Sequence, residues 1–500
     1  MQRAYSRWLY VFLCVLLCAG ACLSFFLLSG HSTDRFEKDD PESFVMVNAA
    51  AFQSALPAGV RHIVFSDTMP SFRDELVDLS NNGRGGVVGW EDDGVFTVST
   101  RTSGQPVILN PDSAGLFANL SHLARVELSM ADTSRVTDFM RFFYNCTALG
   151  EVDISSFDFQ SAVRTRSMFM NCVSLSSVTL GEGDMSTIRD TAFMFSGTGK
   201  LEVIDLSHTD LSGVICSTAM FQQTGAKTIL LPDSLSVLGS FFFNHATHYA
   251  GESFALPASV KELSGAHLFY NMGTDAFSAF TLPEGNAFAS VKDGILYSAD
   301  GTRLLALPKG KRFANGVFEI PEGVTFLGEL SFSRNPYVKT VILPNSYRVR
   351  LYEKQNHPDF SDISGSGNKN VGNSLNLAAY AFSGVRAYAV KEDNPYYTAH
   401  NDVLYEKRED GTPCALVAVP LKYEGELSLP EGVEEWHTDA LFEISEADFS
   451  ALSAIRIPST LTHIAESQIN KINALGVRVT VDEDNPVYAV NAEGKLCFKK

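Results

Sequence analysis

Cysteine is scarce in this chain of 500 residues, with eight in all, and three of them, Cys14, Cys18 and Cys22, fall inside one apolar segment. The other five, Cys146, Cys172, Cys216, Cys414 and Cys497, are an odd and dispersed set, which excludes a disulfide framework as the source of stability. Basic residues are also in deficit: 39 lysines and arginines face 58 aspartates and glutamates, for a formal charge of -19. Nucleic-acid affinity comes from counterions released when lysine and arginine neutralise phosphates, so the balance argues against that partner. A solvated, soluble surface is the ordinary reading of such acidity. A Gly-x-Ser-x-Gly elbow, a phosphate-binding loop and a His-Glu-x-x-His pair are all missing, which leaves no motif for catalysis. No enzymatic activity and no cofactor are expected, and no catalytic, metal-binding or ligand-binding residue is singled out.

What the chain does have is a beat. Leu123, Leu149, Leu175 and Leu201 recur every 26 residues, each opening the pattern Leu-x-x-(Val/Ile)-x-(Leu/Ile). Phe117, Phe143, Phe169, Phe195 and Phe221 keep the same interval. A fixed period of this length with these aliphatics marks a leucine-rich repeat solenoid. Alternate side chains of a strand face the same way, so Val126 and Leu128 point inward while Glu127 points out. Burying one Phe and three aliphatics gains roughly 6 to 12 kcal/mol per unit at about 1.5 to 3 each, whereas ordering the unit costs roughly 1 to 2 kcal/mol per residue. One unit cannot fold alone, and stacking shares the stability along a rod.

Only one long apolar run occurs, from Trp8 to Leu28, preceded by Arg3 and Arg7 and followed by a polar stretch, His31 to Asp40. It is long enough to cross a hydrocarbon core of about 30 Å, and the arginines set the N-terminus in the cytoplasm. Residues 1–30 read as a retained signal-anchor, as a signal peptide cleaved near Ala19-Gly20-Ala21, or as a lipoprotein leader ending at Cys22. Each of the three exports the rest of the chain. After a polar linker, 31–42, residues 43–110 lack the beat but read as short strands around Arg61 to Phe65, Gly86 to Trp90, Val95 to Thr100 and Pro106 to Leu109, an N-terminal β cap over the open end of the core.

Residues 111–232 hold five 26-residue units. In 233–500 the interval varies and Leu-Pro or Ile-Pro pairs end successive strands, as at Leu256-Pro257, Ile320-Pro321, Leu429-Pro430 and Ile457-Pro458, where proline's missing donor is harmless. Asp300-Gly301 and Asp410-Gly411 each read as the turn of an inserted β-hairpin. The run Glu392-Asp393-Asn394-Pro395 recurs as Glu483-Asp484-Asn485-Pro486, and the chain ends at Lys500 inside a third hairpin that lacks a closing strand. Residues 361–376, rich in Ser, Gly and Asn, read as a flexible loop. The expected fold is therefore a leucine-rich repeat solenoid, mostly β, with a parallel sheet along one face and short helical or irregular turns.

With Phe-x-Asn-Cys-x-x-Leu at Phe143 to Leu149 and at Phe169 to Leu175, the middle region resembles the 26-residue bacterial surface repeat of lactobacilli, mycoplasmas and their relatives. The Leu-Pro strand ends, Tyr380-Ala381-Phe382 and the Val-Leu-Tyr hairpin at Val403 to Tyr405 resemble BspA-type leucine-rich repeats. The resemblance implies a bacterial cell-surface or secreted protein, often an adhesin for host or microbial proteins or glycans. The chain departs from the common consensus in lacking an Asn two positions after the strand, and it has no Leu-Pro-x-Thr-Gly sorting signal.

Several residues stand out. Cys146 and Cys172 occupy equivalent positions of adjacent coils, at a spacing that suits either a disulfide or two buried thiols. Asn119, Asn145 and Asn171 form a series that yields to Gly197 and Gln223, read as side chains satisfying backbone groups at a buried turn or as a ligand-facing ladder. His245 and His248 lack a partner at zinc spacing. The acidic runs Glu91-Asp92-Asp93, Glu392-Asp393 and Asp482-Glu483-Asp484 match no calcium loop. Outward strand positions Glu127, Glu151, Ser177 and Glu202 are where a partner would touch a solenoid.

Overall fold

The computed structural model describes residues 41–70, 75–181, 184–263, 268–327, 335–347, 385–437, 440–441 and 449–499. The Trp8 to Leu28 run, Tyr380-Ala381-Phe382 and the 361–376 loop lie outside these residues, among which no helix is long and apolar enough to cross a membrane.

The chain is a leucine-rich repeat solenoid. One side of the array is a parallel sheet in which His62–Ser66, Arg125–Glu127, Glu151–Ile154 and Ser177–Leu180 lie side by side, with Glu151 opposite Ser177 and Ile154 opposite Leu180. Val126, Leu128, Val152 and Ile154 are buried, as their alternation requires. The far side carries a second ladder that is not β. In the coil around Phe169, the N–H groups of Thr165, Ser167, Phe169 and Asn171 donate to the carbonyls of Asp190, Ala192, Met194 and Ser196 one coil on. The same set recurs in the neighbouring coils, from Phe117 N–H to Phe142 O through to His245 N–H to Tyr270 O. Main-chain groups that a buried loop would leave unsatisfied are thus paired between coils.

Two residues per coil, four apart, hold the left-handed conformation that bends this ladder: Arg141 and Asn145, Ser167 and Asn171, Phe193 and Gly197, Ala219 and Gln223. Asn and Gly enter this region at least cost, which explains why the asparagine series passes to Gly197. The expectation that these asparagines serve a buried turn is corrected: Asn119 is exposed and Asn145 half-buried, and Asn145 Nδ2 donates to Asn119 Oδ1 at 3.2 Å. Backbone conformation, rather than burial, selects them.

Inside, seven phenylalanines form a continuous stack. Phe117, Phe143, Phe169, Phe195, Phe221, Phe243 and Phe269 follow one another at centroid distances of 5.3 to 5.8 Å with rings within 15° of parallel, an offset arrangement that aromatic quadrupoles favour. Its N-terminal end is closed by Phe52 and Phe65, edge-on to Phe117 at 5.9 and 6.3 Å. Phe52 comes from a helix, Ala49–Ala55, that starts at Asn48, whose Oδ1 accepts from Ala51 N–H. Cys146 and Cys172 are free thiols beside the stack, their Sγ atoms 3.0 Å from the carbonyls of Phe117 and Phe143. Burial raises both thiol pKa values, that of Cys172 to about 12.

Beyond 285 the inserted hairpins are larger than expected. Each is a three-stranded meander, Ala289–Lys292, Ile295–Ser298 and Arg303–Ala306, then Tyr397–His400, Val403–Lys407 and Pro413–Ala418, because Asp293-Gly294 and Asn401-Asp402 supply a first turn of positive φ. The third hairpin is closed, contrary to expectation: Tyr488–Val490 pairs with Leu496–Phe498, around a turn in which Asn491 Oδ1 accepts from Glu493 and Lys495 N–H. Ahead of these insertions Asn286, Asn394 and Asn485 staple the chain to an earlier Leu-Pro or Ile-Pro turn, and Asn335 does the same ahead of the strand Thr340–Leu343. Asn335, Asn394 and Asn485 are buried. Asn485 Nδ2 reaches the carbonyls of Pro458 and Leu461 at 2.8 Å, and its Oδ1 accepts from Val487 and Tyr488 N–H. Asn286 and Asn335 repeat the four bonds.

Asn485→Ala removes the partner of four main-chain groups, three of them in buried bonds, and a loss on the order of 3 kcal/mol is expected from the C-terminal coils, read as faster amide exchange at Val487 and Tyr488. In the native protein a thiol reagent should leave Cys146 and Cys172 unmodified while it labels the half-buried Cys216, Cys414 and Cys497; mass mapping of the labelled cysteines checks this.

Candidate binding groove

The sheet is interrupted between the third and fourth coils. Among the described residues, Ser177–Leu180 pairs only with the strand before it, and Val203–Asp205 only with Thr228–Leu230. Elsewhere a flanking bond also spans the strand side, Gly150 N–H to Ala124 O, Ser176 N–H to Gly150 O and Lys227 N–H to Glu202 O. Across this junction none is present among the described residues. The other sides stay closed: Asn171 N–H donates to Ser196 O, Phe169 stacks on Phe195 at 5.5 Å, and Asp184 bridges to Asp210. The two coils open like a wedge on the strand side.

The cause lies in the Thr198-Gly199-Lys200 segment, which replaces the Cys172-Val173-Ser174 of the coil before. Thr198 Oγ1 lies 3.0 Å from Thr224 Oγ1, and Gly225 N–H donates to Thr198 O. Gly225 packs so closely that a Cβ there would fall 2.1 Å from Gly199 O. Lys227 Nζ meets Glu202 at 2.6 Å. The fourth coil is drawn onto the fifth and away from the third.

The opening is a groove of about 1030 Å³, at the upper end of small-ligand sites. Val178 and Leu180, inward by pattern, are only half-buried where their equivalents Val152 and Ile154 are buried, and Val203 is 55% exposed. Ser176, Ser177, Thr179 and Thr209 bring hydroxyls, and Lys200, Lys227, His208 and His248 bring basic groups. Asp205 Oδ1 accepts from the Ser207 hydroxyl at 2.6 Å and from Ser207 N–H at 2.9 Å. Those bonds, the hydroxyl first, hold its carboxyl below the usual range.

Of the four outward positions read from the sequence, Ser177 and Glu202 line this groove, whereas Glu127 is engaged by His62 and Arg125 at 3.1 and 3.0 Å and Glu151 is exposed one strand away. The two histidines separate. His248 lines the groove, while His245 sits in the left-handed series against Asn271 and Tyr270. The acidic runs occupy turns: Asp93 and Gly94 have positive φ, and Asp482 Oδ1 accepts from Asp484 N–H. Among the described residues no cluster of three or more His, Cys, Asp or Glu is placed to hold a metal ion. Sequence reasoning missed the groove; its signal was Gly199 and Gly225, one period apart where the three preceding coils carry Ser121, Thr147 and Val173.

Residues 112–231, about a quarter of the chain, match the family described as Mycoplasma protein of unknown function, DUF285. The match includes every named groove residue but His248. No curated protein matches. Among solved structures the chain is similar to a leucine-rich cell surface protein from Faecalibacterium prausnitzii A2-165, at 17% identity over 90% of this chain and 95% of that one, with a TM-score of 0.48. It is similar also to a leucine-rich repeat protein from Eubacterium ventriosum ATCC 27560, at 13% identity over 75% and 84% of the two chains and a TM-score of 0.33. A third, a leucine-rich repeat protein from Bacteroides ovatus ATCC 8483, is 11% identical over 84% and 100%, with a TM-score of 0.26.

A carboxyl with a depressed folded pKa stabilises fully above the unfolded value near 4 and loses that contribution as pH falls through the folded value. Asp205, and Asp410 held the same way by the Thr412 hydroxyl and N–H, should therefore steepen the loss of stability below about pH 4. The double variant D205N/D410N is expected to flatten that limb in urea midpoints measured against pH.

Proposed function

We propose that this chain is an exported bacterial surface protein that acts as a non-catalytic binding module for a protein or glycan on host or microbial surfaces. The observation that carries the reading is the groove between Ser177–Leu180 and Val203–Asp205, where the array departs from its own repeat and presents half-buried apolar side chains, hydroxyls and basic groups together. Export is supported by Arg3, Arg7 and the Trp8 to Leu28 run. Nucleic acid is an unsuited partner for a chain of formal charge -19. A passive spacer is the second reading, favoured by the far-side ladder from Phe117 to Tyr270, which stiffens those coils whether or not anything binds.

The test is binding of the purified chain to immobilised matrix proteins, mucins, glycans and bacterial cells, beside Gly199→Trp. Open space faces Gly199 and its φ is not left-handed, so the indole enters the groove without strain. Saturable binding to one class, reduced about tenfold or more by Gly199→Trp, is expected. Absence of binding across the panel would leave the spacer.

A further inference from the structure

The two strands at the wedge part too little to take another between them. Ser177–Leu180 and Val203–Asp205 keep Cα atoms within 8 Å of each other, and an inserted strand needs about 9.6 Å, twice the strand spacing. An occupant therefore lies along the open side of the groove, where the lining decides its chemistry. Lys227 N–H donates to Glu202 O and Ala250 N–H to Lys227 O, so Glu202, Lys227 and Ala250 form one row across successive coils. Two residues earlier in those coils stand Lys200, Gly225 and His248. Lys200 and His248 are exposed and roughly 10 Å apart at the coil spacing, and between them Gly225, packed down on Gly199, leaves a floor without a side chain. The lining has two carboxylates. Glu202 is engaged by Lys227 at 2.6 Å, and Asp205, at the other end of its strand, by the Ser207 hydroxyl and N–H. Lys200 lines the groove with no acidic partner among the described residues, so its end of the groove carries one unmatched positive charge before either histidine is counted.

Resting on the groove as the binding site, we propose that its ligand is a carboxylated sugar of a surface glycan, seated over Gly199 and Gly225 with its carboxylate on the Lys200 ammonium. Charge selects the anion: one unmatched ammonium suits one carboxylate, whereas a polyanion meets the field of a chain of formal charge -19. The rest of the lining selects the sugar. Ser177 and Thr179 on one wall and His208 on the other are exposed groups that can each donate and accept, as sugar hydroxyls do. Val178, Leu180 and Val203 offer apolar surface to the C–H face of a ring. An extended peptide brings N–H and C=O groups that must pair on a strand edge, and the seam is too narrow to supply one.

The probes are sialyllactose and a glucuronic-acid disaccharide, which separate a sialic-type end from a uronic acid, together with their methyl esters and lactose, each titrated into the full chain by calorimetry. At least one of the acids should bind saturably, with its ester and lactose weaker by about tenfold or more. Lys200→Gln changes an exposed side chain and should erase that preference, so that acid and ester bind alike; damage to the fold would weaken both and leave their ratio unmoved. The ester makes the same cut from the ligand side and depends on no variant's folding. Equal binding of acid and ester by the parent, a preference that survives Lys200→Gln, or no binding of either acid overturns the proposal. Acid binding untouched by Gly199→Trp would overturn the groove with it. A partner found instead among the proteins or cells of the panel, and lost in Gly199→Trp, would overturn the sugar while leaving the groove as the binding site.

Discussion

Everything in this molecule depends on one coil lying in register on the next. From Phe117 to Tyr270 the far-side ladder sets that register: alternate N–H groups of one coil are given to the carbonyls of the coil after it, and a slip would orphan all of them at once. The phenylalanine stack follows from the same register, since rings at equivalent positions can lie within 15° of parallel only if their backbones repeat. Hydrophobic burial supplies the driving force, but it is non-directional. The ladder turns burial into a rod.

The repeat was legible because the residues that build it are few in kind. Phe at the stack, Leu and Val at the strand, and an interval of 26 name the architecture without reference to coordinates. Residues chosen for backbone conformation were harder to read. Arg141, Ser167, Phe193 and Ala219 share a left-handed position yet nothing else, so no residue-type pattern marks it. Asn119, Asn145 and Asn171 were visible as a series, but their chemistry suggested hydrogen bonding before it suggested φ. The stapling asparagines were visible only as the Asn-Pro recurrence at Asn394 and Asn485, and their function needed the partner turn, 24 to 50 residues away. The helix Glu466–Ala474 was missed because its Gln468 is buried, bonding Trp436, and does not fit an apolar stripe.

The groove shows the same limit more sharply. It is made by an interaction that is not formed, and a missing bond leaves no residue to find. What can be found is the cause: two glycines and two threonines that tie the fourth coil to the fifth. The sheet breaks again between Thr228–Leu230 and Ser253–Ala255, but there Ala250 N–H still donates to Lys227 O; among the described residues of these coils, the junction before Val203 lacks both the strand pairing and the flanking bond.

A rod bonded on several sides resists bending in every direction. At the junction between Ser177–Leu180 and Val203–Asp205 the strand side is unbonded while the far-side ladder persists, so the rod there has a spine and an open seam. Bending that closes the seam meets little resistance until the strands touch, and bending that strains the spine must break hydrogen bonds. At this junction the rod folds toward its strand side more readily than away from it, a hinge of one sense built from bonds present on one side and absent on the other.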